Sequence, residues 1–166
     1  IGWGGPSYMY GWYVEPDSVE LIGDLWQAAS GGQSLDLNGV RPGAVWQDLA
    51  TTAGTSYALS FAMAGNPDSA SVKSMEVWWG DTKLDTLRFD TTGHSATNMG
   101  WTYHTYIVTG TGLDKLRFAS VGPNDCYGPT LDDVSVTQTP VPEPSSLLAL
   151  LGGVGILAPM LRRRRQ

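Results

Sequence analysis

Trp46, Trp78, Trp101 and Tyr103 are the residues of this chain with the clearest chemical use, and that use is stacking against sugar rings. A carbohydrate site needs flat aromatic faces for C–H contacts and a few polar groups to fix hydroxyls. Alternation in residues 44–50 turns Val45, Gln47 and Leu49 inward, which leaves Trp46 on the opposite face with Asp48. The same rule sets Met75, Val77 and Trp79 against Glu76 and Trp78. Trp101 and Tyr103 follow a long loop at residues 90–100. The competing reading covers these aromatics with a second sheet or scatters them singly over the surface. The loops at residues 65–71, 90–100 and 122–126 are the alternative site, since binding residues gather on loops held by a rigid scaffold.

One acid also stands out. In Leu131-Asp132-Asp133-Val134-Ser135-Val136, alternation gives Asp132 the phase of Val134 and Val136 and so aims it at the core. A buried carboxylate there must be hydrogen-bonded, paired or metal-bound. Capping by backbone N–H groups of residues 122–126 is one solution. Catalytic signatures are few. His94 and His104 are the only histidines and lie in no HExxH spacing, no GxSxG occurs, and the single cysteine, Cys126, has no recognisable histidine partner motif. The scattered acids leave a glycosidase pair open as a minor reading.

The elements that must position these residues are strands. The chain carries 21 Gly, 10 Pro and 7 Trp with little charge, a composition of strands and turns. Short strands are expected at residues 11–15, 19–22, 34–38, 44–50, 57–63, 73–79, 83–89, 101–108, 113–121 and 132–136, with a hairpin through Gly80-Asp81. Tyr57, Leu59, Phe61 and Met63 form the strongest period-two run, and the small Ala58, Ser60 and Ala62 between them imply close packing on the other face. No helical period of useful length precedes residue 145. Nine or ten strands at regular spacing predict an all-β fold, an antiparallel two-sheet jelly-roll sandwich over residues 1–137.

Charge narrows the partners. Residues 1–141 hold six basic residues against fifteen acids, a net charge of −9, which argues against nucleic acid. One cysteine permits no internal disulfide. The chain opens on Ile1 with neither a basic nor an apolar leader region, so a removed start or a fragment is expected.

After the sandwich the character changes. Residues 138–146 form a proline-rich spacer, and residues 147–161 are almost wholly apolar. Counted from Ser145, the uncharged run is 17 residues, the short end of a bilayer span, with an insertion preference of about −2 to −5 kcal/mol. A single apolar helix is expected there, held to the membrane with Arg162, Arg163, Arg164 and Arg165 on the cytoplasmic side. The ordered set Val141-Pro142-Glu143-Pro144-Ser145, apolar span and arginine cluster resembles the PEP-CTERM sorting signal of Gram-negative bacteria. That resemblance implies export, recognition by an exosortase-type enzyme near Pro142, Glu143 and Pro144, and display at the cell surface or in the extracellular matrix.

The domain has its own likeness. Ser34-Leu35-Asp36-Leu37-Asn38-Gly39, Pro42-Gly43, Ala64-Gly65-Asn66-Pro67, Asn98-Met99-Gly100-Trp101 and Tyr127-Gly128-Pro129 with Leu131-Asp132-Asp133-Val134 resemble domain-of-unknown-function family 642. The resemblance implies a galactose-binding-like jelly roll associated with extracellular polysaccharide, and it supplies no catalytic site. It also implies a structural Ca²⁺ at Asp132, as an alternative to the backbone cap. The expected function is a surface-anchored carbohydrate-binding module that is not an enzyme. A structural matrix or adhesion protein without a discrete ligand is the alternative.

Overall fold

The computed structural model describes residues 7–9 and 11–140. Among the described residues eleven strands run β1 Ser7–Met9, β2 Trp12–Glu15, β3 Glu20–Ile22, β4 Ser34–Asp36, β5 Ala44–Ala50 and β6 Ser56–Gly65. They continue as β7 Val72–Trp79, β8 Thr82–Asp90, β9 Thr102–Thr109, β10 Leu113–Ser120 and β11 Pro129–Gln138. They form two antiparallel sheets, six-stranded β1-β2-β5-β10-β7-β8 and five-stranded β3-β4-β11-β6-β9. The expected all-β sandwich is therefore the fold, and β1 is the strand the sequence pattern did not resolve. The expected helix at residues 147–161, with most of the linker and the arginine cluster, lies outside the described residues. Among the described residues no helix is long and apolar enough to cross a membrane.

Alternation builds the core. Leu59, Phe61 and Met63 of β6 face Val45, Met75, Val77, Leu116 and Phe118 of the larger sheet, all essentially inaccessible to solvent. Phe61 meets Phe118 edge to face with centroids 4.9 Å apart, and burying each such ring contributes about 1.5–3 kcal/mol. Side chains also stitch the sheets together. Tyr106 on β9 donates its hydroxyl to Asp85 on β8 at 2.8 Å. The Trp79 indole N–H reaches the Thr109 carbonyl at 3.0 Å.

Strand β11 breaks its own alternation. Leu131 stands opposite Met63 and Val136 opposite Leu59, so β11 carries one residue more than β6 between these pairs. The extra residue is Asp133, held in the left-handed region at φ 49°. This bulge shifts the phase by one. Asp132, expected inward with Val134 and Val136, instead takes the outward phase opposite Ala62. It is half-buried rather than a core group.

Candidate functional site

The four aromatics fall on two opposite faces of the sandwich. On the outside of the six-stranded sheet a cross-strand row runs Tyr13, Trp46, Arg117, Trp78, Lys83. Tyr13 stacks on Trp46 with centroids 4.1 Å apart and planes 14° apart. The Lys115 ammonium sits 3.3 Å from the Trp46 centroid, too close to fit between those two rings, so it occupies the other face. Both faces of Trp46 are thus covered, contrary to its expected use as a platform. Trp78 is half-buried and donates its N–H to Glu76 at 3.0 Å. Lys83 pairs with Glu76 at 3.0 Å and stands 5.8 Å from the Trp78 ring centroid.

On the outside of the five-stranded sheet the geometry is different. Tyr103 on β9 is 58% exposed, yet its hydroxyl reaches Asp133 on β11 at 3.2 Å. Strand β6 lies between these two strands. Neighbouring strands are about 4.8 Å apart, so the phenol must lie across β6. Ala62 is the direct partner of Tyr103 on that strand and is fully buried. This accounts for the small residues on the second face of β6: anything larger than alanine there would lift the ring. The Tyr103 hydroxyl is held above its usual pKa by desolvation and by the Asp133 carboxylate. It therefore stays a donor at physiological pH.

The next rows along this face are Thr105, Ser60 and Ser135, then Ile107, Ala58 and Thr137. The other end is closed by residues 23–33. The Trp101 indole N–H donates to the Gln27 carbonyl at 2.9 Å, and the Gln27 N–H donates to the Ala96 carbonyl at 2.8 Å. Trp26 is buried and reaches Ser34 Oγ at 2.8 Å. Trp101 is half-buried, with its indole turned to the 23–33 loop.

Asp132 is the latch of that loop. Its Oδ2 accepts the N–H groups of Ala29 at 2.7 Å and Ser30 at 3.0 Å, and its Oδ1 accepts the N–H of Asp133 at 2.7 Å. A backbone cap was one of the expected solutions, but the donors are residues 29–30 and 133 rather than 122–126. Both oxygens are engaged by donors, and among the described residues no group of three or more His, Cys, Asp and Glu gathers to hold a metal ion. Asp132 therefore does not fit the Ca²⁺ role. Asp132→Asn should destabilise the fold by about 1–3 kcal/mol, because one amide oxygen replaces two carboxylate acceptors. Chelation with EDTA should leave the wild-type melting temperature unchanged. An EDTA-induced drop that Asp132→Asn abolishes would restore the metal reading.

The histidines do not form a centre. The His104 ring stacks on Phe61 and His94 lies against Phe89, while burial holds His104 below its ordinary pKa.

Residues 3–137 match the family described as "Protein of unknown function (DUF642)". The chain belongs to the DUF642 family. Residues 140–165 match the PEP-CTERM protein-sorting motif, which marks chains for export and surface sorting in Gram-negative bacteria. Among curated proteins, the chain is 26% identical over 134 residues to Halomucin of Haloquadratum walsbyi, covering 80% of this chain but 1% of that protein. Among solved structures it is similar to TmCBM61 in complex with β-1,4-galactotriose, with a TM-score of 0.58, 17% identity and coverage of 78% of this chain and 90% of that one. It is also similar to a family 35 carbohydrate-binding module from Clostridium thermocellum, with a TM-score of 0.54, 17% identity and coverage of 75% and 90%. At such identities the likeness is one of fold.

Three of the motif segments of this DUF642 domain converge on one buried polar knot rather than on the exposed face. Asp36, fully buried, accepts through Oδ1 the N–H groups of Asn38 at 2.8 Å and Gly128 at 3.1 Å. Its Oδ2 accepts the Asn66 side-chain amide at 2.8 Å. Asn38 in turn donates to the Asp125 carbonyl at 2.8 Å, and Asn66 donates its backbone N–H to the Gly128 carbonyl at 2.9 Å. Three distant segments are tied together where β11 begins. Alternation with Leu35 and Leu37 turns Asp36 and Asn38 outward in the sequence reading, yet both are buried in the structure, covered by the segments they tie together. Sequence reasoning also missed Asp133, whose only signal is that aspartate tolerates the left-handed region better than most residues.

Proposed function

We propose that this domain is a non-catalytic carbohydrate-binding module displayed at the cell surface, with its glycan site on the outer face of the five-stranded sheet. The observation that carries this reading is the pinned Tyr103 ring, a flat aromatic surface left open to solvent. Its orientation is fixed before any ligand arrives, so little entropy is lost on stacking. Hydroxyls of Thr105, Ser60 and Ser135 in the adjacent row are suited to sugar hydroxyls. The fold shared with carbohydrate-binding modules supports the same reading.

The sorting motif supplies the setting. An exosortase-type enzyme acts near Pro142, Glu143 and Pro144, and the apolar segment with its arginines holds the exported chain at the membrane until then. Asp133 stands five residues before the end of β11, about 17 Å along the strand, so the glycan face is set back from the point where the tail departs.

Retardation in gels containing soluble polysaccharides tests the site. Tyr103→Ala should weaken binding by about 30-fold or more, as for a central aromatic anchor, with the melting temperature preserved because the ring is exposed. Trp46→Ala should bind as wild type. Binding lost in Trp78→Ala but kept in Tyr103→Ala would move the site to the other sheet.

A further inference from the structure

The two sheets segregate charge. Lys73, Lys83, Arg88, Lys115 and Arg117 all lie on β7, β8 and β10 of the six-stranded sheet, and Arg41 lies in the turn before β5. Neither the five strands of the smaller sheet nor residues 23–33 and 91–101 contain a lysine or arginine. The aromatic platform on that sheet is bordered by carboxylates instead. Asp133 accepts the Tyr103 hydroxyl through Oδ2, is itself exposed, and has no described hydrogen bond on Oδ1. Asp132 is the next residue along the chain, with both its oxygens spent on backbone donors.

From this we infer that the Tyr103 face selects uncharged glycans and rejects those bearing carboxylates or sulfates; the inference rests on the reading of this face as the glycan site. A sugar stacked on the ring has its edge beside Asp133, where Oδ1 can take one of its hydroxyl protons. A uronate in that position would bring a second carboxylate next to Asp133. Both are desolvated by the same contact, and no cation on the sheet offsets them. A screening length of about 8 Å at physiological salt is too long to mask two charges at that range. A neutral sugar meets no such penalty. For it the carboxylate is a strong acceptor, because hydrogen bonds to an ionised group are roughly twice as strong as neutral ones.

The experiment pairs polysaccharides that share a backbone and differ in charge. Retardation of the intact chain is measured in gels containing polygalacturonate or its fully methyl-esterified, uncharged form, at about 0.15 M salt, for wild type, Tyr103→Ala and Asp133→Asn. Asparagine is the variant of choice because it too accepts the left-handed backbone at this position. The expected result is binding of the methyl-esterified polymer at least about tenfold tighter than polygalacturonate, with Tyr103→Ala removing the binding of the esterified form. Asp133→Asn should lower the ratio between the two polymers. Equal binding of both polymers, lost together in Tyr103→Ala, would overturn charge selection while keeping the glycan face. A wide panel of neutral and acidic polymers that all fail to bind, or that bind regardless of Tyr103, would overturn the glycan face itself.

Discussion

Gly128→Ala should destabilise the domain by about 2–6 kcal/mol. A Cβ built on Gly128 overlaps Asp36 Oδ1 and comes within 2.7 Å of the Asn38 backbone nitrogen and 2.8 Å of Asn38 Cγ. None of these is the far end of a flexible side chain. Asn38 is tied to both Asp36 and the Asp125 carbonyl, and Asp36 is pinned from both oxygens. Overpacking of this kind costs about 1–3 kcal/mol by itself. Moving Gly128 away also breaks its N–H bond to Asp36 and leaves that buried carboxylate under-satisfied, at about 1–3 kcal/mol more. Together these reach about 2–6 kcal/mol, a large share of the roughly 5–15 kcal/mol that holds a typical domain folded. Calorimetry on the purified variant checks this, with a melting temperature lowered by about 10 °C or more as the expected result. A melting temperature within a few degrees of wild type would show that the knot yields and does not organise the start of β11.

The sandwich was legible because its strands obey a period of two. In β6 and β7 the inward set read from the sequence is the set buried in the core, since a slip of one residue would expose every core side chain at once. Export and surface sorting were legible for another reason: the motif is linear and ordered, and needs no folded partner. The site was less so. Alternation correctly turned Trp46 outward, but no local pattern shows that Tyr13 and Lys115, on the two flanking strands, close over it. Asp132 was misplaced because a strict period of two cannot accommodate an extra residue, and the Asp133 bulge is fixed by pairing with β6 rather than by local sequence. Tyr103 was named as a candidate, but the hydrogen bond to Asp133 that holds its ring across β6 depends on strand order β11-β6-β9. The charge segregation is hidden in the same way, because β6, β9 and β11 become neighbours only in the folded sheet.

The contribution of Asp36 to stability should fall as pH rises from about 4 to 7. Burial raises its pKa from 3.8 to about 6, against the opposing pull of its hydrogen bonds from Asn38, Asn66 and Gly128. Most native carboxylates behave the other way, with lowered values that make acid destabilising. Here the sign is reversed. Between the unfolded value of 3.8 and the folded value of about 6 the native state holds a proton that the unfolded state has lost. The unfolded state therefore gains from each rise in pH through that window. The width of that window corresponds to about 3 kcal/mol, with the loss complete by about pH 7. Urea unfolding of wild type and Asp36→Asn across this range isolates the effect, since other groups contribute equally to both. The gap should move by about 3 kcal/mol in favour of Asp36→Asn as pH rises. At low pH the protonated acid can place its O–H where the ionised form has only acceptors, whereas at pH 7 the wild type must bury a charge that the variant lacks. A gap that stays constant from pH 4 to 7 would mean that the three N–H donors hold Asp36 ionised throughout. The knot would then be a stabilised anion site rather than a buried acid.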